Sequence, residues 1–243
     1  ALLWKNDSGA RDLETLPRYV EMGFGEMPES LTVEEGGVHY QLPVSTGQKT
    51  GWFFDQATNR ASLRKYVQGA RVLDVFSYLG AWGLGALKAG AAEVTCVDSS
   101  ASALELLEAT AAANDLRPKV IRGDAFDVME SLHASKQRFD VVIVDPPAFI
   151  KRKKDIPKGE AAYKRLNQLA MQLLERDGIL SSSSCSYHLE PEGLTLAVQR
   201  ASRTLSRFAQ IIEVGGQAPD HPIHPAIPET RYLKSLVCRV VPE

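Results

Sequence analysis

The sequence predicts an α/β protein, a doubly wound, mostly parallel sheet of seven strands preceded by a small β-hairpin appendage. From residue 70 onward, short β-branched runs alternate with segments of helical periodicity, an order typical of a parallel sheet with helices on both faces. Residues 1–45 lack helical periodicity and carry several glycine turns. Because 243 residues can bury one full core and a small appendage, we expect the appendage over 1–45 and the main domain over 46–243.

Each element is predicted from a local pattern. Apolar runs predict the strands of the main domain, at 71–76, 93–98, 119–122, 139–145, 178–182, 209–214 and 233–241. Helical spacing of apolar residues predicts helices at 81–89, 102–114, 125–133, 163–176 and 194–205. Ser99 and Ser100 are favourable N-cap residues for the second helix, and Asp177-Gly178 is predicted to end the fourth. In the appendage, the predicted strands are 30–34 and 38–44.

Composition excludes several classes of protein. No apolar run is long enough to cross a bilayer, and the first residues do not have the layout of a signal peptide. The three cysteines, at 96, 185 and 238, do not form the pattern of a disulfide framework, so we expect a cytoplasmic protein without membrane contact. With a net charge of −2, contact with nucleic acid requires a local basic patch or a domain outside this chain.

Acidic residues stand at or near the ends of four consecutive predicted strands, as Asp74, Asp98, Asp124 and Asp145. Open α/β sheets bind their ligands at the carboxyl ends of their strands. Each acid alone fits a helix N-cap equally well, but four acids in register indicate a ligand site. The position of Asp98, at the end of the second strand, is typical of an acid that accepts from both ribose hydroxyls of a nucleotide cofactor.

The glycines after the first strand distinguish between cofactors. They follow the order G-x-x-G-x-G from Gly80, so the G-x-G-x-x-G fingerprint of dinucleotide enzymes is missing. A strand-end acid followed by a turn that reaches Gly80 resembles the first motif of class I S-adenosylmethionine (SAM) dependent methyltransferases, which have a Rossmann-like fold. The resemblance implies that SAM lies with its methionine part beside this turn and its adenine amino group beside the acid after the third strand. The residues concerned are Phe76, Ser77, Tyr78, Gly80, Asp124 and Ala125.

The fourth strand ends in a rigid corner, Asp145-Pro146-Pro147, with Phe149 beside it. Two prolines prevent both a continued strand ladder and an immediate helix. The corner resembles the fourth motif of methyltransferases that modify nitrogen or carbon atoms of nucleic-acid bases; the alternative is a tight turn after a core strand. With this motif Asp145 would hydrogen-bond the target base, and Phe149 or Tyr187 could offer a face on which an extruded base stacks.

A basic run, Lys151-Arg152-Lys153-Lys154, follows the corner directly. Runs of this size are more often solvated loops than binding sites. Basic residues at this place would nevertheless hold phosphates near the chemistry, so we predict substrate contacts from Lys151, Arg152 and Lys153.

Cys185 is the candidate nucleophile. It lies within the polar run 181–188, just past the fifth strand, whereas Cys96 and Cys238 lie in apolar strands and are expected to be buried. If the fourth and fifth strands are neighbours, Cys185 and Asp145 share one rim. A thiolate that adds to carbon 6 of a pyrimidine makes carbon 5 reactive toward a methyl group, after which a base removes the carbon-5 proton and the thiolate leaves.

Histidines suggest two further sites. His188 is either a base near the candidate nucleophile or an incidental surface residue. His221 and His224 are flanked by prolines, which fits a rigid loop better than a metal site, so no metal is predicted.

Taken together, these residues resemble the RlmI/YccW-type class I SAM-dependent methyltransferases, which make 5-methylcytosine in 23S ribosomal RNA. The resemblance covers about residues 34–241, and its most specific part is Gly47–Gln56, GQKTGWFFDQ; it also rests on 76–78, 145–149, 184–186, 220–222 and 232–234. It implies catalysis by Cys185 and Asp145, 23S rRNA as the partner, and a homodimer as an assembly to test. The implied cofactor contacts also include Lys49, Gly51, Phe53, Gln56, Arg60, Asp74, Asp98, Ser99 and Asp145.

The chain departs from the family pattern, since Ala57 replaces arginine, Ala148 replaces lysine and Tyr187 replaces glycine. Family members also carry an RNA-binding PUA domain before the hairpin, and no segment here resembles one. We therefore expect the RNA to be found through another surface, or through a domain that is not part of this chain.

Three functions stay open. The first is methylation of cytosine carbon 5. The second is methylation of another base or of a ring nitrogen, as in a related branch that methylates guanine N7 and lacks the cysteine. The third is a SAM-binding RNA module without turnover.

Overall fold

The structure is a computed structural model that describes residues 1–7, 9–28, 30–43 and 51–242. The chain divides into two compact units. The smaller unit contains Ala1–Val33 and Tyr40–Trp52, and the larger contains Glu34–His39 and Phe53–Glu243. Most of the predicted site residues belong to the larger unit.

Two antiparallel pairs of strands precede the main sheet. β1 (Leu2–Asn6) pairs with β2 (Tyr19–Phe24), and a single helical turn, α1 (Ala10–Leu13), lies between them in sequence. β3 (Ser30–Glu35) and β4 (Val38–Pro43) form the predicted hairpin. Its tight turn requires glycines, because positions 36 and 37 have φ of 63° and 77°. The β1–β2 pair was not predicted, because its strands lack a short hairpin turn between them.

The larger unit is built on a seven-stranded sheet. Its strands are β5 (Arg71–Val75), β6 (Glu93–Asp98), β7 (Lys119–Arg122), β8 (Phe139–Val144), β9 (Leu174–Ser184), β10 (Arg207–Gly215) and β11 (Lys234–Pro242). In space they follow the order β10-β11-β9-β8-β5-β6-β7, with β5 to β9 parallel and β11 antiparallel to both of its neighbours. The predicted doubly wound, mostly parallel sheet is confirmed.

Helices precede and connect these strands, and four of the five predicted helices match their ranges within three residues, whereas α2 was not predicted. They are α2 (Ala57–Leu63), α3 (Ala81–Lys88), α4 (Ala101–Ala113), α5 (Ala125–Ala134), α6 (Ile156–Leu173) and α7 (Pro191–Thr204). Local capping explains the start of α4, because the Ser100 hydroxyl accepts from the Ala103 N–H at 3.3 Å.

The prediction for α6, over 163–176, was wrong at both ends. The helix begins earlier because Pro157 stands in its first turn, where no backbone N–H donor is needed. It also ends earlier, since Leu174 already pairs with Phe139 as the start of β9. Asp177 has a φ of 67° inside that strand, where the pairing register shifts. The Asp177-Gly178 signal therefore marks an irregularity in β9 and not the end of the helix.

The core lies between the sheet and its helices, and the two central strands are its most buried part. Leu73 and Val75 of β5 and Val142 and Val144 of β8 are each at most 1% exposed. They join one apolar cluster with side chains from α6 and α7. Because both faces of these strands are covered, their register is fixed. Because β5 to β9 run parallel, their carboxyl ends lie along one edge of the sheet. Within the described part of the chain, no helix has the length and apolar character needed to span a membrane.

Candidate functional site

The carboxyl ends of the parallel strands bring the predicted site residues to one edge of the sheet. Asp145 directly follows β8 and Cys185 directly follows β9, and these neighbouring strands pair Val144 with Ser182. The expected adjacency of the fourth and fifth strands is therefore observed. Along the edge, the strand order gives the sequence Cys185, Asp145, Asp74, Asp98 and Asp124.

The turn between β5 and α3 has an unusual backbone. Phe76, Tyr78 and Gly80 all have positive φ, at 66°, 49° and 79°. A Cβ atom on Gly80 would stand 2.8 Å from Cγ of Leu107, so glycine is needed there for space as well as for backbone conformation. Ser77 is buried, and its hydroxyl has no hydrogen-bond partner among the described residues. Strained turns with unsatisfied polar groups are typical of ligand sites.

Two of the strand-end acids hold this turn in place. Asp74 is completely buried, and its Oδ2 accepts from the Gly83 N–H at 2.9 Å. Burial raises the pKa of Asp74 to about 7, against the effect of that hydrogen bond. Asp98 is only partly buried, and its two oxygens accept from the backbone N–H groups of Tyr78 and Ser100, each at 2.9 Å. Asp74 thus supports the turn, whereas Asp98 keeps lone pairs for a ligand.

Asp124 caps a helix. Its Oδ1 accepts from the backbone N–H groups of Phe126, at 2.9 Å, and Asp127, at 3.3 Å, at the start of α5. Its second carboxylate oxygen makes no hydrogen bond within the described part of the chain. Asp124 is exposed, so this oxygen can also accept from a ligand. Two further residues were predicted to contact the cofactor. Ala125, next to Asp124, is buried, and Ser99, next to Asp98, is exposed.

Asp145 is fixed by two donors. Gln56 Nε2 donates to its Oδ1 at 2.9 Å, and the indole Nε1 of Trp82 donates to its Oδ2 at 3.0 Å. Gln56 is oriented in turn by Asn59, whose amide donates to its Oε1 at 2.6 Å. Burial raises the pKa of Asp145, and the Trp82 hydrogen bond opposes part of this rise. Trp82 was not among the predicted site residues, because its indole N–H in the first turn of α3 is a weak signal without the fold.

Cys185 lies against the proline corner. It is partly buried, and its Sγ stands 3.9 Å from the carbonyl oxygen of Pro146. Pro146 is buried and Pro147 is exposed. Cys96 and Cys238 are buried, as predicted, and burial raises the pKa of both thiols. Cys185 is thus the cysteine that the fold leaves accessible.

Hydrogen bonds fix the residues on either side of Cys185. Ser184 and Ser186 both hydrogen-bond the buried hydroxyl of Tyr163, each at 2.8 Å. The Ser186 hydroxyl also accepts from the Ile150 N–H at 3.1 Å. The segment that carries Cys185 is therefore tied to α6 and to the loop that follows β8.

The two aromatic residues considered for base stacking differ in environment. Phe149 packs its ring 4.8 Å from Tyr163, 6.3 Å from Phe126 and 6.5 Å from Phe76, measured between centroids. Tyr187 is 37% exposed. Tyr187 is therefore the better placed of the two to receive a base.

Arg60 makes a buried ion pair. Its Nε and Nη2 donate to the two carboxylate oxygens of Glu35 at 2.6 and 2.7 Å, and Nη2 also donates to the Phe53 carbonyl at 2.9 Å. The Phe53 ring meets Tyr78 edge-on, with centroids 5.7 Å apart. Phe53 thus contacts the turn after β5, and Arg60 joins Glu35 to the backbone of Phe53.

The remaining predicted contacts are only partly described. Gly51 belongs to the smaller unit and has a φ of 89°, and Lys49 lies outside the described residues. Lys151, Arg152 and Lys153 are exposed, and Arg152 pairs with Asp155 at 3.2 Å.

Known proteins resemble this chain in sequence. Residues 55–191 match the family described as "Conserved hypothetical protein 95". "Ribosomal RNA large subunit methyltransferase I" of Aeromonas salmonicida (strain A449) is 39% identical over 239 residues, covering 97% of this chain and 60% of that protein. The protein of the same name from Yersinia pestis bv. Antiqua (strain Angola) is 36% identical over 241 residues, covering 98% and 61%. The chain therefore spans about three fifths of the length of these curated relatives.

Solved structures resemble it in fold. The structure described as "Crystal structure of SMU.776, a putative methyltransferase complexed with SAH" has a TM-score of 0.79 at 23% identity, covering 90% of this chain and 58% of that chain. At this identity the likeness concerns the fold alone, which is the sheet arrangement of SAM-dependent methyltransferases. The matched family range contains Gln56, all four strand-end acids and Cys185. Since that range covers more than half of the sequence, this chain belongs to the family described as "Conserved hypothetical protein 95", and its resemblance to the RlmI/YccW-type methyltransferases is confirmed.

Proposed function

We propose that this chain is the catalytic part of a SAM-dependent RNA methyltransferase that methylates carbon 5 of a cytosine in large-subunit ribosomal RNA. The observation that carries the proposal is the contact of Cys185 with the Asp145 corner at the ends of adjacent strands, where Sγ stands 3.9 Å from the Pro146 carbonyl oxygen. The names of the curated relatives support the RNA substrate, and the SAH complex of SMU.776 supports the cofactor.

The residues along the strand ends fit SAM. The buried Ser77 hydroxyl and the strained turn from Phe76 to Gly80 offer polar groups to its methionine part. The carboxylate of Asp98 can accept from ribose hydroxyls, and the second oxygen of Asp124 from the adenine amino group. When bound, SAM supplies an electrophilic methyl group at this rim. Contacts from Lys49, Gly51 and Arg60 stay predictions.

Chemistry at the base follows from the thiol and the carboxylate. The Cys185 thiolate forms a bond to carbon 6 of cytosine and displaces the C5=C6 electron pair into the ring, so that carbon 5 becomes nucleophilic. Carbon 5 would then bond to the methyl group as the methyl–sulfonium bond breaks, leaving the spent cofactor as a neutral thioether. A base takes the carbon-5 proton, and the electrons of that C–H bond re-form the C5=C6 double bond while the S–C6 bond breaks and releases the thiolate. Asp145, held by Gln56 and Trp82, accepts from the exocyclic amino group and keeps carbon 6 against the thiol.

RNA would approach from the side of the proline corner. The target base must leave its stack to reach Cys185, and the exposed ring of Tyr187 gives it a stacking face. The exposed side chains of Lys151, Arg152 and Lys153 can then contact phosphates beside the flipped nucleotide.

Replacing Cys185 by Ala tests the covalent mechanism. We expect methyl transfer to large-subunit rRNA from cells that lack the modification to fall by at least about a thousandfold, since the variant lacks the thiol that forms the carbon-6 adduct. SAM binding, followed by calorimetric titration, should stay close to that of the unsubstituted protein. RNA that contains 5-fluorocytidine at the target should form a stable adduct with the unsubstituted protein and none with Cys185→Ala.

A matched control is Cys238→Ala, which removes a buried thiol in β11 and should retain methyl transfer at the level its stability permits. Undiminished transfer by Cys185→Ala would exclude the covalent mechanism and favour a ring nitrogen as the acceptor. SAM binding without methylated RNA, with any large-subunit rRNA preparation, would favour the binding module.

A further inference from the structure

A buried lysine contacts the segment that carries the candidate nucleophile. Lys234, the first residue of β11, is 6% exposed. The β9–β11 ladder pairs it with Ser184, the residue before Cys185. Its Nζ donates to the carbonyl oxygen of Ser186, the residue after Cys185, at 2.5 Å, and to that of Tyr232 at 2.8 Å. Lys234 thus meets the backbone on both sides of the thiol, since its main chain pairs with Ser184 and its ammonium binds the carbonyl of Ser186.

The surroundings leave the charge of Lys234 without a direct counter-ion. Both of its hydrogen bonds go to neutral carbonyl oxygens, and no carboxylate pairs with Nζ within the described part of the chain. Three charged or titratable groups interact with it electrostatically, namely Cys185, Glu190 before α7 and Arg231 before β11. Burial lowers the pKa of Lys234 to about 8, while Cys185 opposes this. Lysines are rarely buried so completely without a carboxylate to pair with, and such groups cluster at functional sites.

We propose that Lys234 is a positioning residue that keeps Cys185 in its reactive thiolate form, with its buried ammonium fixed against the Ser186 and Tyr232 carbonyl oxygens as the local positive charge. This inference rests on the proposed function, because attack on a pyrimidine ring requires the thiolate. The proposal gives the site the cation that a nucleophilic cysteine needs near neutral pH. It also assigns a chemical role to a residue of β11, the antiparallel strand next to β9.

A purely structural role for Lys234 makes a different prediction. Its two hydrogen bonds could simply tie β11 to the loop after β9, much as Tyr163 ties that loop to α6. Loss of such a tie changes how accessible the thiol is, whereas loss of a nearby charge changes the pH at which the thiol ionises.

Alkylation of Cys185 separates ionisation from access. The full chain, without RNA or SAM, is treated with iodoacetamide from about pH 5 to about pH 10, and labelling of the Cys185 peptide is followed by mass spectrometry. We expect Lys234→Met to move the midpoint of this profile upward by about one pH unit or more, so that the rate near neutral pH falls roughly tenfold. Lys234→Arg keeps the charge and should stay close to the unsubstituted profile.

Tyr163→Phe is the matched control, because it removes the hydroxyl that holds Ser184 and Ser186 and leaves Lys234 in place. Its limiting rate at high pH is expected to change while its midpoint stays the same. The proposal is overturned by an unchanged midpoint in Lys234→Met, or by the same shift in Tyr163→Phe.

A second measurement does not depend on a folded Lys234→Met. Electrostatic coupling is reciprocal, so removing the thiolate with Cys185→Ser should lower the titration midpoint of Lys234, observed by carbon-13 NMR of the lysine ε-carbons and assigned with Lys234→Arg. An unmoved midpoint contradicts the inference. Both measurements omit RNA, so methyl transfer that survives Cys185→Ala would refute the proposed function and leave the Lys234 result standing.

Discussion

At the scale of single residues, the candidate site depends on side chains that orient other side chains. Asp145 carries the proposed base contact, yet its two oxygens are aimed by Trp82 and Gln56. Cys185 is the proposed nucleophile, and the residues on either side of it are held by hydrogen bonds to the Tyr163 hydroxyl. Supporting hydrogen bonds of this kind fix a reacting group to within the tolerance that catalysis requires.

Replacing Trp82 by Phe should shift the pH dependence of methyl transfer. The indole N–H opposes the rise in the pKa of Asp145 that burial causes, so its removal raises that pKa further. Because the proposed role needs the ionised carboxylate, the acidic limb of the pH–rate profile should move to higher pH, by up to about one unit. The measurement is kcat/KM for RNA across that limb.

Trp4→Phe provides the comparison, since Trp4 is an exposed indole of the smaller unit. Its acidic limb should coincide with that of the unsubstituted protein. If the limb of Trp82→Phe coincides as well, the indole hydrogen bond does not control the ionisation of Asp145.

At the scale of elements, the turn between β5 and α3 concentrates the backbone demands of the site. It contains three residues with positive φ and is held by acids from two strands. Glycine at position 80 both permits the left-handed backbone and leaves room for Leu107 of α4. The turn is therefore specified jointly by β5, β6 and α4.

Replacing Gly80 by Ala should destabilise the protein by about 2 kcal/mol or more, from the cost of a left-handed alanine together with the contact on Leu107. Urea unfolding monitored by circular dichroism measures this. Gly85→Ala is the control within α3, because a Cβ there meets nothing within 4 Å. It should be neutral or stabilising by up to about 1 kcal/mol. Equal losses in the two variants would contradict the steric and conformational argument.

At the scale of the whole molecule, the sheet buries an acid at its centre. Asp74 is 0% exposed in β5, one of the two most enclosed strands, and burial raises its pKa from 3.8 to about 7. In the unfolded chain this group releases its proton at lower pH than in the folded protein. Between about pH 4 and pH 7 the folded state therefore binds more protons, and the contribution of Asp74 to stability falls as pH rises.

Asp74→Asn should remove this pH dependence. The variant keeps an oxygen that can accept from the Gly83 N–H but cannot ionise, so its stability relative to the unsubstituted protein should increase from about pH 4 to about pH 8. One pKa unit corresponds to about 1.4 kcal/mol, so the gain should reach the order of a few kcal/mol. Urea unfolding at both ends of this range measures it. Asp127→Asn, which replaces an exposed acid, is the control. If the difference in unfolding free energy between Asp74→Asn and the unsubstituted protein stays constant with pH, Asp74 does not titrate as described.

The sequence by itself determined the elements and their order, because β-branched runs, N-caps and turn residues act within a few positions of themselves. It gave the ranges of β6 and β7 without error and capped α5 with Asp124. The predicted C-terminal end of α6 was wrong. Leu174 belongs to β9 and not to the helix because it pairs with Phe139 of β8, a residue distant in sequence.

Only the tertiary structure decided which side chains meet. Trp82 reaches Asp145 over 63 positions of sequence, and Lys234 reaches the Cys185 segment over 48. Such contacts depend on strand order and register, which arise from burial of the whole sheet and leave no local signal in the chain. The strand-end pattern could therefore indicate a site and its acids, while the donors to Asp145 and the buried lysine beside the Cys185 segment could be found only from the fold.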